Sequence, residues 1–281
     1  MCTLTILLPA LLLTLATFPA RARVPTLIAH RGASHDAPEN TLAAFKLAFE
    51  LGADGIEGDF YLTADGQIVC IHDADTERTA GVKLEVARST LAELKALDVG
   101  SWKDPRFAGE RIPTLRAVLA VVPHGKKLLI EIKCGPEILP ALERELAKAS
   151  VPRGQIAVIS FDAEVLRFAK SRLPDLSTYW LTSYQRDQET RELHPTLDEV
   201  LATLKRTGAD ALDTKDDPAV VDQPFVEALH KAGYGVHAWT VDDPDAARRL
   251  CALGIVSITT NRPDHLRKEL SGDVDAETRE P

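Results

Sequence analysis

The stretch Gly55-Ile56-Glu57-Gly58-Asp59-Phe60-Tyr61-Leu62-Thr63-Ala64-Asp65-Gly66-Gln67-Ile68-Val69-Cys70-Ile71-His72-Asp73 carries the reading of the fold. Gly55–Phe60 reads as a buried strand interrupted by two acids two residues apart, and residues two apart on a strand face one side. Thr63-Ala64-Asp65-Gly66 is a tight-turn sequence, and Gln67–Ile71 reads as the return arm of a hairpin. If the turn centres near Asp65, antiparallel pairing brings His72 back level with Asp59. Charged groups at the ends of buried strands are costly without partners. The acids and the histidine therefore belong to one polar site at the mouth of a sheet.

Working outward, seven further apolar runs alternate with helix-period segments: Thr26–Ala29, Leu128–Ile132, Ile156–Phe161, Ser177–Leu181, Ala211–Asp213, Val236–Val241 and Val256–Thr260. Leu42, Phe45 and Phe49 mark one helical face, Leu197, Leu201 and Leu204 a second, and Val221, Phe225 and Leu229 a third. Gly52, Gly208, Gly233 and Gly254 stand where helices would close in the left-handed conformation before the next strand. Strand–helix alternation implies a parallel sheet. Eight such strands predict an α/β fold, a closed (β/α)8 TIM barrel, with a small insertion after the second-strand hairpin over residues 74–112. That insertion, with Trp102 and the Pro105–Gly109 turn region, is placed as a rim or lid.

Three more charged groups follow or end apolar runs: His30-Arg31-Gly32, His72-Asp73 and Glu131-x-Lys133. At the carboxyl ends of barrel strands, Glu57, Asp59 and Glu131 would converge and repel unless a hard cation sat between them. Mg2+ or Ca2+ takes such oxygen ligands. His30 and His72 suit proton transfer near neutral pH. Arg31 and Lys133 suit phosphate oxygens, or balance the neighbouring carboxylates; the two roles are compatible. His124, His194, His230, His237 and His265 read as structural. So does His35, although it precedes the Pro38 loop, within reach of a substrate.

The 281 residues carry 33 basic and 42 acidic side chains, a formal net charge of −9. No basic stripe is present, which argues against a nucleic-acid binder. Residues 1–22 read as a signal peptide, with the Leu4–Leu15 apolar run and Ala20-x-Ala22 before a mature start near Arg23, although no basic residue precedes the run. That run is short for a membrane span. Export to the periplasm or beyond is the expectation, with a barrel domain over 23–270, a polar tail over 271–281, and no membrane span after leader cleavage. Of the four cysteines, Cys2 leaves with the leader. Cys70, Cys134 and Cys251 lack metal spacing and read as small core residues.

At this point the chain resembles the glycerophosphodiester phosphodiesterase family. The resemblance is carried by His30-Arg31-Gly32, Pro38-Glu39-Asn40-Thr41, Glu57-x-Asp59, Thr63-x-Asp65-Gly66-x-x-Val69-x-x-His72-Asp73 and Arg78-Thr79. It continues in Ile112-Pro113-Thr114-Leu115, Glu131-x-Lys133, Ser160-Phe161, Trp239-Thr240-Val241 and Thr260-Asn261-Arg262-Pro263, and spans residues 26–268. It implies a (β/α)8 barrel that hydrolyses a small-molecule glycerophosphodiester to an alcohol and sn-glycerol 3-phosphate. His30 and His72 would be the acid–base pair, and Glu57, Asp59 and Glu131 the ligands of one divalent cation. Arg31 and Lys133 would contact phosphate, and Phe161 and Trp239 would line the glycerol side. The chain departs from the family at Gly58, usually a larger residue, at Val256, frequently an acid, and at Asn261, commonly aspartate. Glu39 would support the metal site or favour the next helix N-terminus. The alternative is a phospholipase D-type enzyme on the same barrel, acting on lysophospholipids or sphingolipids.

Overall fold

The structure, a computed structural model, describes residues 25–277. The expected leader lies outside the described residues. Eight parallel strands close into a barrel: β1 (Thr26–Ala29), β2 (Gly55–Leu62), β4 (Lys127–Ile132), β5 (Ile156–Ser160), β6 (Ser177–Thr182), β9 (Ala211–Lys215), β10 (Gly235–Trp239) and β11 (Ser257–Thr260). Around the barrel the order is β1-β11-β10-β9-β6-β5-β4-β2, and β1 pairs with β2 to close it. The hairpin arm β3 (Ile68–Cys70) pairs antiparallel with β2, and β7 (Gln185–Arg186) with β8 (Leu193–His194) forms a small excursion after β6.

The helices are α1 (Leu42–Glu50), α2 (Glu77–Ala80), α3 (Leu91–Lys95), α4 (Leu115–Val121), α5 (Leu139–Leu146), α6 (Ala163–Arg172), α7 (Leu197–Thr207), α8 (Gln223–Lys231), α9 (Pro244–Ala252) and α10 (Pro263–Glu277). Most begin at a side-chain oxygen that accepts an otherwise unpaired N–H: Thr41 for α1, Thr114 for α4, Asp162 for α6, Asp222 for α8 and Asp243 for α9. Thr196 and Glu199 form a reciprocal capping box on α7. Gly52, Gly208, Gly233 and Gly254 all take the positive φ expected of helix ends. Val221 does not sit on a helix, because Asp222 caps α8 one residue later; it is buried in the core instead. The last helix, α10, runs to Glu277, so the start of the expected polar tail continues a helix.

The main core lies between the strands and the helical ring, with Leu27, Phe45, Ile56, Phe60, Leu128 and Val158 buried there. Gly58 faces this layer. A Cβ at that position would approach Phe45 and Cys70 to 3.1 Å, so the missing side chain makes room for the Phe45 ring. Residues 74–112 pack with the hairpin arm on a separate small core of Val69, Ile71, Val86, Leu94, Val99 and Ile112. Lys103 and Arg106 tie this insertion to the loop after β1 through the carbonyls of Ser34 and Asp36. Trp102 is exposed there, its indole N–H donated to the Val99 carbonyl.

Inside the barrel, Ile28, Leu129, Ala157, Ile159 and Leu181 form an apolar plug. His237 is buried, stacked on Tyr179 at 4.3 Å and bonded to the Ser257 hydroxyl at 2.6 Å. Burial, with Lys127 adding to it, pushes its pKa down to about 3. His237 is thus a neutral structural histidine, as expected. Cys70 is buried, whereas Cys134 and Cys251 are only half-buried, and all three are free. Among the described residues no helix is long and apolar enough to cross a membrane.

Candidate active site

The site forms at the carboxyl ends of the strands, where a cavity of about 170 Å3 is lined by His30, Arg31, Glu57, His72, Glu131 and Lys133 on one side. Ile159, Phe161, Leu181, Asp213, Trp239 and Thr259 complete its wall. Glu57 and Asp59 lie two apart on β2, and Glu131 pairs with Asp59 in the neighbouring strand β4. Parallel pairing puts side chains at matched positions on the same face, which brings the three acids together. Each offers a carboxylate oxygen within 4.8 Å of the others, and all three residues are buried.

The loop after β1 is shaped around these acids. Arg31 and Asn40 both adopt left-handed backbone, φ 55° and 57°. Asparagine tolerates that region, but for arginine it is strain of about 1–3 kcal/mol, of a kind that persists where surrounding contacts enforce it. The contacts are present: Arg31 N–H donates to Glu57 Oε2 at 2.9 Å, and Asn40 N–H donates to the Arg31 carbonyl at 3.0 Å. Asn40 grips Asp59 twice, its Nδ2 donating to Asp59 Oδ2 at 2.8 Å and its Oδ1 accepting from Asp59 N–H at 3.2 Å. Lys133 Nζ donates to Glu131 Oε1 at 2.8 Å and lies 3.4 Å from Asp59 Oδ1, while Arg31 Nε lies 3.2 Å from Asp59 Oδ2. Glu57 Oε1 and Asp59 Oδ1 remain buried without a hydrogen-bond donor.

The electrostatics follow from this crowding. Burial, then the charges of Asp59 and Glu131, raise the Glu57 pKa well above the usual carboxylate range. Burial, then Asp59, push Glu131 up to about 7. Burial would raise Asp59 too, but Arg31, Lys133, His72 and the Asn40 amide outweigh it and hold it below its ordinary value. A cation among the three carboxylates would remove the repulsion and serve the two oxygens, Glu57 Oε1 and Asp59 Oδ1, that lack a hydrogen-bond donor. The donor set, all carboxylate, fits a hard divalent ion.

The two histidines are held differently. His30 Nδ1 faces Asn261 Oδ1 at 2.8 Å, and burial followed by Arg31 lowers its pKa. His72 Nδ1 faces Asp73 Oδ1 at 2.7 Å. Asp73 accepts from Arg78, Arg78 donates twice to Glu39, and Glu39 accepts from Arg31. Two guanidiniums hold Glu39, and through Arg31, whose Nε lies 3.2 Å from Asp59 Oδ2, it backs the acid cluster indirectly. The hairpin delivers His72 to the cavity, but not in the expected register. Phe60 pairs with Cys70, and Ile71 N–H donates to the Asp59 carbonyl, so Ile71, not His72, stands level with Asp59. The turn centres on Asp65 itself, and His72 follows the last bond of the ladder, made by Ile71, and lines the cavity.

Phe161 and Trp239 meet edge to face at 5.5 Å and line the cavity. His35 is exposed and forms no part of the cavity wall. Three contributors escaped the sequence reading in this role. Asn40 clamps Asp59, and Asn261 contacts His30. Asp213 lines the cavity on β9, fully buried, with Oδ1 unpartnered and burial pushing its pKa up to about 8, Glu131 adding to the rise. Asp213 was visible only as the end of an apolar run, the same signal that revealed the other acids.

The profile of the glycerophosphoryl diester phosphodiesterase family matches residues 30–265. The chain belongs to that family. A glycerophosphodiester phosphodiesterase of Caldanaerobacter subterraneus subsp. tengcongensis is 36% identical over 254 residues, 85% of this chain and 95% of that protein. Another, from Bacillus subtilis, is 30% identical over 263 residues, 87% and 86% of the two chains. Among solved structures, a phosphodiesterase of Oleispira antarctica in complex with the product sn-glycerol-3-phosphate superposes with a TM-score of 0.77 at 29% identity, covering 88% of this chain and 97% of that one. The glycerophosphodiester phosphodiesterase of Thermotoga maritima gives 0.68 at 26% identity, over 88% and 98%. The barrel of this phosphodiesterase is thus shared with enzymes of the family along nearly the whole described chain.

Proposed function

We propose that this phosphodiesterase hydrolyses glycerophosphodiesters to an alcohol and sn-glycerol 3-phosphate, with a divalent cation required and His30 and His72 as the acid–base pair. The observation that carries the reading is the trio Glu57, Asp59 and Glu131, with two buried oxygens lacking donors, flanked by both histidines in one cavity. Glu57, Asp59 and Glu131 would hold Mg2+ or Ca2+, whose charge would offset the carboxylates and the negative charge developing on phosphate. Arg31 and Lys133 take phosphate oxygens, Arg31 through its fork and Lys133 as a point charge. One histidine removes the proton of the nucleophile, and the other protonates the departing oxygen. The nucleophile is water or the neighbouring glycerol hydroxyl, which is already positioned on the substrate. Phe161 and Trp239 cover the organic part and exclude water from it. The bound product named for the Oleispira protein supports this choice of substrate.

The test is release of glycerol 3-phosphate from glycerophosphocholine by the protein after EDTA treatment, then with Mg2+ or Ca2+ restored. Release that returns with the ion supports the reading. Release undiminished by EDTA removes the cation from it. Turnover of a lysophospholipid with none of glycerophosphocholine overturns the substrate class in favour of the lipid alternative. Export rests on the leader sequence, and secretion of the processed protein in its host would test it.

A further inference from the structure

Asp242 and Asn261 take no part in the chemistry described above, yet they form a directed chain that ends on His30. We propose that Asn261, locked by Asp242, is a positioning residue that keeps the proton of neutral His30 on Nδ1 and leaves Nε2 bare toward the cavity. The inference rests on the reading of His30 as an acid–base group.

The argument is one of donors and acceptors. Asp242 Oδ1 accepts from the Thr260 hydroxyl at 2.8 Å and from Asn261 N–H at 2.7 Å. Asp242 Oδ2 lies 2.7 Å from the Asn261 amide nitrogen. A carboxylate only accepts, so the amide must turn its NH2 toward Asp242 and its oxygen away. That oxygen lies 2.8 Å from His30 Nδ1 and 2.9 Å from Ser34 Oγ. An amide oxygen has two lone pairs and accepts from both. His30 Nδ1 must therefore donate, which assigns its proton there and fixes the ring orientation. The reversed amide would set oxygen against carboxylate at 2.7 Å with no proton between them. His30 lines the cavity, and Nε2 is the ring nitrogen left for it. Barrel closure makes the contact possible: β1 pairs with β11, and His30 and Asn261 leave those two strands side by side.

The two side chains can exchange chemistry, and this provides the test. Asp242→Asn takes away the carboxylate that dictates the amide direction, so Asn261 is free to reverse and present NH2 to His30. The double variant Asp242→Asn/Asn261→Asp rebuilds the chain: an amide at position 242 donates to a carboxylate at 261, which still accepts from His30 Nδ1. The protein, labelled with 15N-histidine and supplied with cation, is examined by imidazole nitrogen NMR, with His30→Ala identifying the His30 signals. The expected wild-type spectrum has Nδ1 protonated and Nε2 bare. Asp242→Asn is expected to lose that pattern and to lower kcat by about 10–100-fold, as loss of an orienting partner typically does. KM should stay within about threefold, because substrate binding is not altered. The double variant is expected to regain the Nδ1–H pattern and most of kcat. A wild-type His30 protonated on Nε2 overturns the inference, as does an Asp242→Asn protein with unchanged spectrum and kcat, or a double variant no better than the single one. If the wild type releases no glycerol 3-phosphate, the functional reading falls, while the tautomer measurement still decides the role of Asn261.

Discussion

The two halves of the barrel mouth solve opposite problems. On β1, β2 and β4 the cavity is walled by His30, Arg31, Glu57, Glu131 and Lys133, all buried or half-buried, with Asp59 behind them. On β5, β6, β9 and β10 it is walled by Ile159, Phe161, Leu181 and Trp239, with one carboxyl, Asp213, among them. In the strand order β9 stands opposite β2, so Asp213 faces the acid cluster across the lumen. The charged half shares Arg31 and Lys133 among its acids and leaves two carboxylate oxygens without a hydrogen-bond donor. The apolar half lowers the local dielectric, which strengthens each charge interaction facing it. Reaction chemistry and its setting are thus separated by strand, and substitutions on the two sides should fail in different ways.

The largest effect is expected on the charged side. His30→Ala or His72→Ala should lower turnover by roughly 10²–10⁴-fold with the fold intact, because a general acid or base contributes about that much. Near-native turnover in both would sink the assignment. Next comes the lone carboxyl of the apolar side. The folded pKa of Asp213, about 8, lies above the ordinary 3.8, so the folded state holds a proton that the unfolded state has released between those values. Stability therefore falls as pH rises through that window, and the penalty is fully present above it. Asp213→Asn cannot ionise and should gain on the wild type as pH rises from 5 to 8, by at most about 1.4 kcal/mol per unit. Urea unfolding at the two pH values measures this, and a pH-independent difference would show that the carboxyl is not held neutral.

Smaller again, Glu57→Gln should trade activity for stability. Without cation the variant is freed of repulsion from Asp59 and Glu131 and should melt higher, by roughly 2–4 °C per kcal/mol relieved. Adding Mg2+ or Ca2+ should raise the wild-type midpoint and move the variant less. Equal responses would remove Glu57 from the ligand set. The smallest change is expected at the aromatic rim. Trp239→Ala should raise KM by about two- to tenfold, in line with the roughly 0.5–1.5 kcal/mol of an edge-to-face pair, with kcat affected less. A loss confined to kcat would place the ring at the reaction centre instead.

Particular residues show how far the chain could be read unaided. Most barrel strands were recognisable because they are buried on both faces and leave a short apolar run, and the glycines that end the helices took the predicted left-handed conformation. Glu57, Asp59 and Glu131 stood out because charges are rare in such runs. Asp213 ends the Ala211–Asp213 run with Thr214 and Lys215 beside it, the same signal, but its place on the wall facing Glu57 is set by barrel closure and not by its neighbours in the chain. Which role Glu39 takes was not legible locally, because its partners, Arg31 and Arg78, come from two separate segments. The hairpin register was off by one residue, since Asp-Gly signals that a turn exists but leaves its centre to the pairing of Phe60 with Cys70.

Local pattern alone determined the number of strands, the barrel class and the identity of the charged groups, because burial on two faces and helix closure by glycine act within a few residues. Only the tertiary structure decided which groups meet. His30 and Asn261 are 231 positions apart and touch because the last strand closes on the first. Asp213 and Glu57 share one cavity because closing the barrel sets their strands on opposite walls. Such contacts depend on register and closure summed around the whole ring, and no short window of the chain contains them.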